Sequence, residues 1–339
     1  MINSWISPNY NQLLMRQWYI KNDKIHDLGV EVPYLGIPYD QIKNNNIETL
    51  PENYDGWFPF MRMCYSIGDL AIISGIFEAL KTKYPKIKIA WPSNEYIDHI
   101  LGEGYISRWD YNKDVTAKTN IETIIGNNPH IDKIFNVGDF DLIFTDHDRS
   151  YTSLIHDGEM VRSCDEPLAE QILRRFGFTD EDIKNIDSKP KVYFTDEEID
   201  KCNNIIEEHI GNFDYGCLLF AGRLEQFKGR WENDYLLFND AKKFSNTPVF
   251  VYSQYDLNNT EWDNFFPNRI SFAELGLSIR EQIYIKQKSK FNIGYQGGVT
   301  EASSGGTSKM VSLCPYKTIR ENCVRGSKYI FFNKTSKVI

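Results

Sequence analysis

One carboxylate in this sequence stands where a predicted strand gives way to a helix. The apolar run over 58–65 predicts a short buried strand, and the turn Ser66–Asp69 follows it directly. Gly68 permits a tight turn, which predicts the carboxylate of Asp69 at the mouth of the strand-to-helix connection. Open α/β sheets bind ligands at this edge. On the turn alone, simple helix capping by Asp69 is the better interpretation, because Asp is a favoured capping residue.

Three cations in the second half of the chain are suited to holding phosphate. Arg223, Lys228 and Arg230 follow a predicted buried strand over 217–222 and precede a predicted helix over 234–244. Arginine offers a planar fork that matches phosphate oxygens, and lysine acts as a mobile point charge. A solvent-exposed basic loop explains the same residues equally well, so this segment alone does not distinguish a phosphate site from an ordinary surface loop.

A glycine-rich loop strengthens the phosphate interpretation. It follows a predicted strand over 291–294 and leads into a predicted helix over 299–304. Its glycines let a ligand approach the backbone, and the start of the helix adds free amides and partial positive charge. Glu301 either accepts from sugar hydroxyls or merely complements the helix dipole. We assign this loop to the binding of a phosphate-containing sugar donor, together with Gly68 and the three cations. The loop residues assigned to it are Gln296, Gly297, Gly298, Thr300 and Glu301.

Together these loops supply what a nucleoside-diphosphate sugar requires, namely cations and amides for its pyrophosphate and an acceptor for its ribose. Neither GxGxxG spacing nor a Gly-Lys-Ser/Thr P-loop is present, which disfavours a dinucleotide cofactor. The arrangement requires no cofactor and no metal. The segment Asp146, His147 and Asp148 offers carboxylates to a hard metal, but we assign it to the acceptor side of the cleft.

These loops are positioned by alternating strands and helices, which predict largely parallel sheets and an α/β fold. Further predicted strands cover 87–91, 131–137, 141–145, 248–253 and 309–314. Predicted helices also follow Asp69 and cover 95–101, 167–176, 195–209 and 279–290. We divide the chain into an N-terminal extension over 1–56 without sustained period, an acceptor-side domain over 57–195 and a donor-binding domain over 196–339.

Composition narrows the class of protein. A length of 339 residues suits two domains, and a net charge of −9 without a dense Lys/Arg stripe disfavours a nucleic-acid partner. The six cysteines form no CxxC pair, and buried reduced thiols such as Cys217 favour a reducing compartment. No signal peptide or run of about 18 apolar residues is visible. We therefore expect a cytoplasmic protein, at most peripheral at the inner face of the membrane.

Five segments, taken in order over residues 58–315, resemble glycosyltransferase family nine, the heptosyltransferase-like enzymes with the GT-B fold. They are Ile67–Leu70 with Lys83–Pro85, Asn127–Ile134, Lys191–Glu198, Lys228–Trp231 and 278–298. The resemblance implies two Rossmann-like parallel α/β domains that face each other across a cleft.

The resemblance also implies a reaction. A sugar would pass from a nucleotide-diphosphate donor to a hydroxyl of a glycan or glycolipid, with inversion and without a metal, in surface polysaccharide or lipopolysaccharide biosynthesis. Asp69 would be the general base that takes the proton of the acceptor hydroxyl, which reverses the preference for simple capping. Lys228 or Arg230 would neutralise the departing diphosphate.

The sequence departs from the family pattern at the donor loops. Gln296 and Glu301 stand where the family has an acidic residue and a histidine, and Gly229 stands where a lysine usually precedes the tryptophan by two places. The donor sugar is therefore left open. The alternatives are a nucleotide-sugar epimerase on the same scaffold and a non-catalytic protein that binds nucleotide sugars or glycans.

Overall fold

In the residues that it describes, the computed structural model has three β-sheets. It describes residues 3–9, 12–21, 24–33, 53–59, 67–93, 95, 123–139, 167–219, 246–252, 266–272, 274–295, 298–306, 309–314 and 328–331. The predicted strand over 141–145 and the predicted helix over 234–244 lie outside these ranges, as does all but one residue of the helix predicted over 95–101.

The first sheet is an antiparallel meander within the N-terminal extension. Its strands are β1 (Asn3–Asn9), β2 (Gln12–Lys21) and β3 (Lys24–Pro33), in the order β1-β2-β3. The sequence predicts no element here, because apolar and polar side chains do not alternate regularly along β2. The dipeptide Asn22-Asp23 was the available sequence signal for a turn, since Asx residues favour hairpin connections.

The second sheet is parallel and belongs to the first half of the α/β region. Its strands are β4 (Trp57–Pro59), β5 (Lys88–Pro92) and β6 (Lys133–Phe135), in that order. The helices of this half are α1 (Ile67–Ser74), α2 (Ile76–Lys83), α3 (Leu168–Arg175) and α4 (Asp180–Lys184). Large side chains without solvent exposure fill the core between these layers: Phe58, Phe77, Trp91 and Phe135.

The single helix predicted after Asp69 is in fact two helices, and the first of them begins before Asp69. The first, α1, starts at Ile67, so Gly68 and Asp69 lie in its first turn and not before it. The break falls at Gly75, where an added Cβ would lie 2.1 Å from the carbonyl oxygen of Lys189. The segment that leads to the second half of the chain thus passes directly over the break.

A capped helix connects the two halves. Helix α5 (Asp196–His209) begins with a capping box, in which Thr195 accepts from the backbone N–H of Glu198 and Glu198 accepts from that of Thr195. Both the helix and the capping box were predicted from Thr195–Glu198. Cys202, within α5, and Cys217, beyond it, are buried free thiols, which confirms the prediction for Cys217.

The third sheet has six parallel strands. In chain order they are β7 (Gly216–Leu219), β8 (Val249–Tyr252), β9 (Arg269–Ser271), β10 (Phe291–Tyr295), β11 (Lys309–Cys314) and β12 (Lys328–Phe331). Between them lie the helices α6 (Ile279–Lys288) and α7 (Gly298–Ser303). The spatial order is β12-β11-β10-β7-β8-β9. Four of these strands match predicted ones, whereas β9 and β12 were missed.

The apolar core does not stop between the two halves. One cluster joins residues of the first half, such as Leu70, with Ile283 of α6 and Ala302 of α7, and all three have no solvent exposure. A second cluster, around Phe250 and Ile285, lies within the second half alone. The domain boundaries drawn from the sequence stay a prediction.

Candidate functional site between the two halves

The third sheet has a topological switch point between β7 and β10. The chain runs outward from β7 through β8 to β9, and then resumes at β10 on the other side of β7 and continues through β11 to β12. Connections on opposite sides of the two central strands leave a crevice at their carboxyl ends, where open α/β sheets bind ligands. The position of the crevice depends on this strand order, which the sequence did not predict.

Both loops that the sequence singled out for phosphate begin at this crevice. The segment with the three cations follows Leu219, the last residue of β7, and the glycine-rich loop follows Tyr295, the last residue of β10. Since β7 and β10 are adjacent and parallel, the two loops leave the same edge of the sheet.

The start of α1 contacts the start of α7 directly. A Cβ added at Gly298 would lie 2.8 Å from Cβ of Ile67 and 2.9 Å from the backbone nitrogen of Gly68. Gly298 opens the helix that follows the glycine-rich loop, and Asp69 lies one residue beyond Gly68. The turn that carries Asp69 therefore lies against the helix that leaves the crevice.

Small and fully buried residues support this contact. Ala71 on α1 and Ala302 on α7 have no solvent exposure, and Ile67 and Val299 pack against the same apolar cluster. Small side chains let two helix backbones approach closely, and continuous burial excludes water from the contact. The starts of the two helices are therefore packed directly against each other.

Comparison with known proteins identifies the fold. No family model matches the chain, and no curated protein matches it. A solved structure does, the glycosyl transferase family 9 from Veillonella parvula DSM 2008, with a TM-score of 0.53 over 86% of this chain and 88% of that one, at 9% sequence identity. The chain has the GT-B fold. The fold that the resemblance predicted from sequence is thereby confirmed.

Two further solved structures are less similar. The ADP-heptose lps heptosyltransferase II of E. coli has a TM-score of 0.43 at 9% identity, over 81% of this chain and 90% of that one. The E. coli heptosyltransferase WaaC with ADP has a TM-score of 0.39 at 11% identity, over 80% and 90%. The fold rests on the Veillonella structure.

Within this GT-B fold, the predicted site residues fall into two groups. The backbone of one group lies in the starts of α1 and α7, which contact each other: Gly68, Asp69, Gly298, Thr300 and Glu301. The other group lies outside the described residues: Arg223, Lys228, Arg230, Gln296, Gly297, Asp146, His147 and Asp148.

The described ranges contain neither a cluster of metal ligands nor a helix that could span a membrane. Among those residues, no group of three or more His, Cys, Asp or Glu side chains is placed to hold a metal ion. Within the same ranges, no helix combines the length and apolar character needed to cross a membrane.

Arg280, which the sequence did not single out, ties the halves of the GT-B fold together behind the site. Its guanidinium donates to both carboxylate oxygens of Glu198, at 2.6 and 2.8 Å. It also donates to the backbone carbonyls of Thr123 and Tyr193, each at 2.6 Å. The hydrogen bond from Arg280 holds the pKa of Glu198 below its usual range. An arginine in the first turn of a helix carries no local signal for such long-range contacts.

A surface groove of about 610 Å³ lies beside residues 188–195, the interdomain segment that leads from the first half to the second. Its charged side chains pair with one another, as Lys191 does with Glu78, and Nζ of Lys83 with a carboxylate oxygen of Asp182 at 3.9 Å. None of the predicted site residues lines this groove. The switch point and the α1–α7 contact therefore define the candidate site.

Proposed function

We propose that this protein is a glycosyltransferase that moves a sugar from a nucleotide-diphosphate sugar to a hydroxyl group of a glycan or glycolipid. The observation that carries this proposal is the contact between the start of α1, with Asp69, and the start of α7 at the switch point. It brings a carboxylate-bearing turn of one half to the nucleotide crevice of the other. The family named for the Veillonella structure supports the same reaction class.

The reaction is a direct displacement. The acceptor oxygen attacks the anomeric carbon, the bond from that carbon to the diphosphate oxygen breaks, and the acceptor proton passes to the carboxylate of Asp69. An aspartate has an ordinary pKa of about 3.9, so it is ionised at neutral pH. It is too weak to remove a sugar proton early and acts as the hydroxyl becomes acidic during attack, a contribution of about 10²–10⁴-fold. Attack opposite the leaving group inverts the anomeric carbon.

The departing diphosphate needs the larger electrostatic stabilisation. We assign this role to Arg223, Lys228 and Arg230, which follow β7, together with the backbone of Gln296 and Gly297 after β10. These groups suffice without a metal ion or a separate cofactor. Thr300 and Glu301 would bind the nucleoside or sugar hydroxyls, and Asp146, His147 and Asp148 would line the acceptor side.

The cysteines bear on the cellular setting. We place the protein in the cytoplasm, because its buried free thiols Cys202 and Cys217 favour a reducing compartment. A glycolipid acceptor would bring it to the inner face of the membrane by peripheral contact. The acceptor would belong to a surface polysaccharide or a lipopolysaccharide-type glycan.

The decisive experiment combines donor binding with turnover. Thermal-shift measurements with ADP, GDP, UDP and their sugars identify the donor, since a ligand at 100 times its dissociation constant stabilises by about 2.7 kcal/mol. Transfer to a crude glycan fraction is then measured for the wild type and for Asp69→Asn. We expect Asp69→Asn to keep donor binding and to lose at least about 10²-fold in transfer.

A matched substitution controls for general effects of removing an acidic charge. Asp200→Asn changes an exposed carboxylate of α5 and should leave transfer unchanged. Near-normal transfer by folded Asp69→Asn would refute the catalytic assignment. Epimer formation from the donor alone would identify an epimerase, and donor binding without any turnover would identify a binding protein.

A further inference from the structure

We infer that Gly298 is a positioning residue, whose missing side chain sets the separation between the Asp69 turn and the nucleotide crevice. The kinetic part of this inference rests on the proposed function, whereas its structural part does not. Gly298 was assigned to the donor from sequence, but its described contacts are with the other half of the fold, at Ile67 and Gly68.

The contact at Gly298 cannot be relieved by rotating a side chain. The atoms nearest to an added methyl group are Cβ of Ile67 at 2.8 Å and the backbone nitrogen of Gly68 at 2.9 Å. Neither atom moves when a side chain changes rotamer. Ordinary contact begins at 3.4 Å, so α1 and α7 would have to separate by about 0.6 Å.

The interdomain segment prevents the helices from sliding apart freely. Its carbonyl oxygens lie against two other glycines, one from each half: a Cβ at Gly75 would meet Lys189 O at 2.1 Å, and a Cβ at Gly305 would meet Pro190 O at 1.7 Å. The segment is thus held between the end of α1 and the turn that follows α7.

A hydrogen bond fixes the same segment to α1. The hydroxyl of Ser74 accepts from the backbone N–H of Lys191 at 2.8 Å, and it donates to the carbonyl of Ala71 at 2.7 Å. Helices α1 and α7 are therefore joined both directly and through this segment. A methyl group at position 298 would consequently rotate one half against the other instead of shifting a single helix.

Such a displacement acts on the distance between reacting groups. The turn with Asp69 belongs to one half and the crevice to the other, so separation of the helices moves the base away from the anomeric carbon. A misplacement of about 1 Å can lower a rate about 10²-fold. The cations and the glycine-rich loop assigned to the nucleotide belong to the second half, so nucleotide binding should change little.

Gly298→Ala tests this inference. Alanine is a better helix former than glycine by about 1 kcal/mol, so α7 itself should not be weakened. We expect kcat to fall about 10- to 100-fold, with the dissociation constants of ADP, GDP and UDP within about twofold of the wild-type values. Gly138→Ala is the matched control, because a Cβ at Gly138 meets no atom within 4 Å, and it should change neither quantity.

A second measurement needs neither donor nor turnover. Hydrogen exchange of the free protein should rise in Gly298→Ala over 67–74 and 188–195, where the two halves meet, and stay unchanged within 201–209. Unaltered exchange at the contact would overturn the inference even if the proposed function held. If the wild type neither binds a nucleotide nor transfers a sugar, the proposed function fails, and the exchange data still decide the role of Gly298.

Two further results would refute the positioning role. Wild-type kcat in Gly298→Ala would show that the separation is not limiting, and a parallel loss of nucleotide binding would place Gly298 in the donor pocket. If Gly298→Ala does not fold, Ile67→Gly is added, because it removes the nearest Cβ atom. Recovery of the fold in the double variant would support the steric cause, and continued unfolding would contradict it.

Discussion

Arg280 at the start of α6 and Glu198 at the start of α5 form a two-point ion pair, with Nε to Oε1 at 2.6 Å and Nη2 to Oε2 at 2.8 Å. The exposed fractions of the two side chains are 14% and 22%. The pair therefore lies mostly out of water, where loss of one partner leaves the other uncompensated. It also holds the connection between the halves of the fold, because Arg280 reaches Thr123 and Tyr193 as well.

Arg280→Lys should lower the free energy of unfolding by about 2–3 kcal/mol, although the positive charge is kept. Lysine cannot donate to Glu198, Thr123 and Tyr193 at once, since it lacks the planar fork. Urea unfolding followed by circular dichroism measures the effect. The control is Lys184→Gln, whose pair with Glu181 is 72% and 77% exposed and should contribute less than about 0.5 kcal/mol. A loss below that value in Arg280→Lys would contradict the structural role.

The same pair predicts a dependence of stability on pH. The Arg280 hydrogen bond lowers the folded-state pKa of Glu198 below the unfolded value of 4.5. The stabilisation is therefore complete above about pH 4.5 and is lost as the pH falls through the folded-state pKa. The difference in unfolding free energy between the wild type and Glu198→Gln should be constant from about pH 6 to 7 and shrink below about 4.5. If the difference in unfolding free energy instead grows as the pH falls, the pKa of Glu198 is not lowered in the folded state.

Lys286 on α6 should destabilise the folded protein at neutral pH. It is 1% exposed, its Nζ has no hydrogen-bond partner among the described residues, and burial lowers its pKa from 10.5 to about 8. The unfolded chain therefore binds the extra proton between about pH 8 and 10.5, and the cost of burial is complete below that range. Lys286→Met should raise the free energy of unfolding at pH 7 by about 1–3 kcal/mol.

The gain from Lys286→Met should decrease as the pH rises from about 8 to 10.5, which urea titrations at several pH values would reveal. Lys288→Met is the control, because Lys288 is exposed on the same helix and should change stability by less than about 0.5 kcal/mol. A loss of stability in Lys286→Met would show that the buried ammonium is compensated.

Local signals predicted the elements that local interactions decide. The capping box at Thr195 and Glu198 predicted the start of α5, because the two reciprocal hydrogen bonds depend only on residues three apart. The break at Gly75 was missed, because the contact of this glycine with the Lys189 carbonyl joins positions more than a hundred residues apart in the chain. The strands β9 and β12 were missed because their runs are short and depend on their partners in the sheet.

The parts of the candidate site that depend on local sequence could be predicted, whereas the parts that depend on long-range contacts could not. Sequence patterns placed Asp69 and Gly298 at strand-to-helix connections, since an apolar run followed by a glycine turn is a local feature. The order of strands in the sheet is not local, so the switch point between β7 and β10 could not be derived from the sequence. Nor could the contact of Gly298 with Gly68, which joins positions from opposite halves of the chain.

The apolar cluster that runs from Leu70 to Ile283 and Ala302 constrains how enzymes of this architecture can be recombined. A chimera that exchanges the second half for that of a relative would also exchange one wall of the first half's interior. Such a hybrid would expose Leu70 or create a void beside it unless the inward faces of α6 and α7 were retained from the parent. Exchange of only the segments that follow β7 and β10 would leave the described members of this cluster in place.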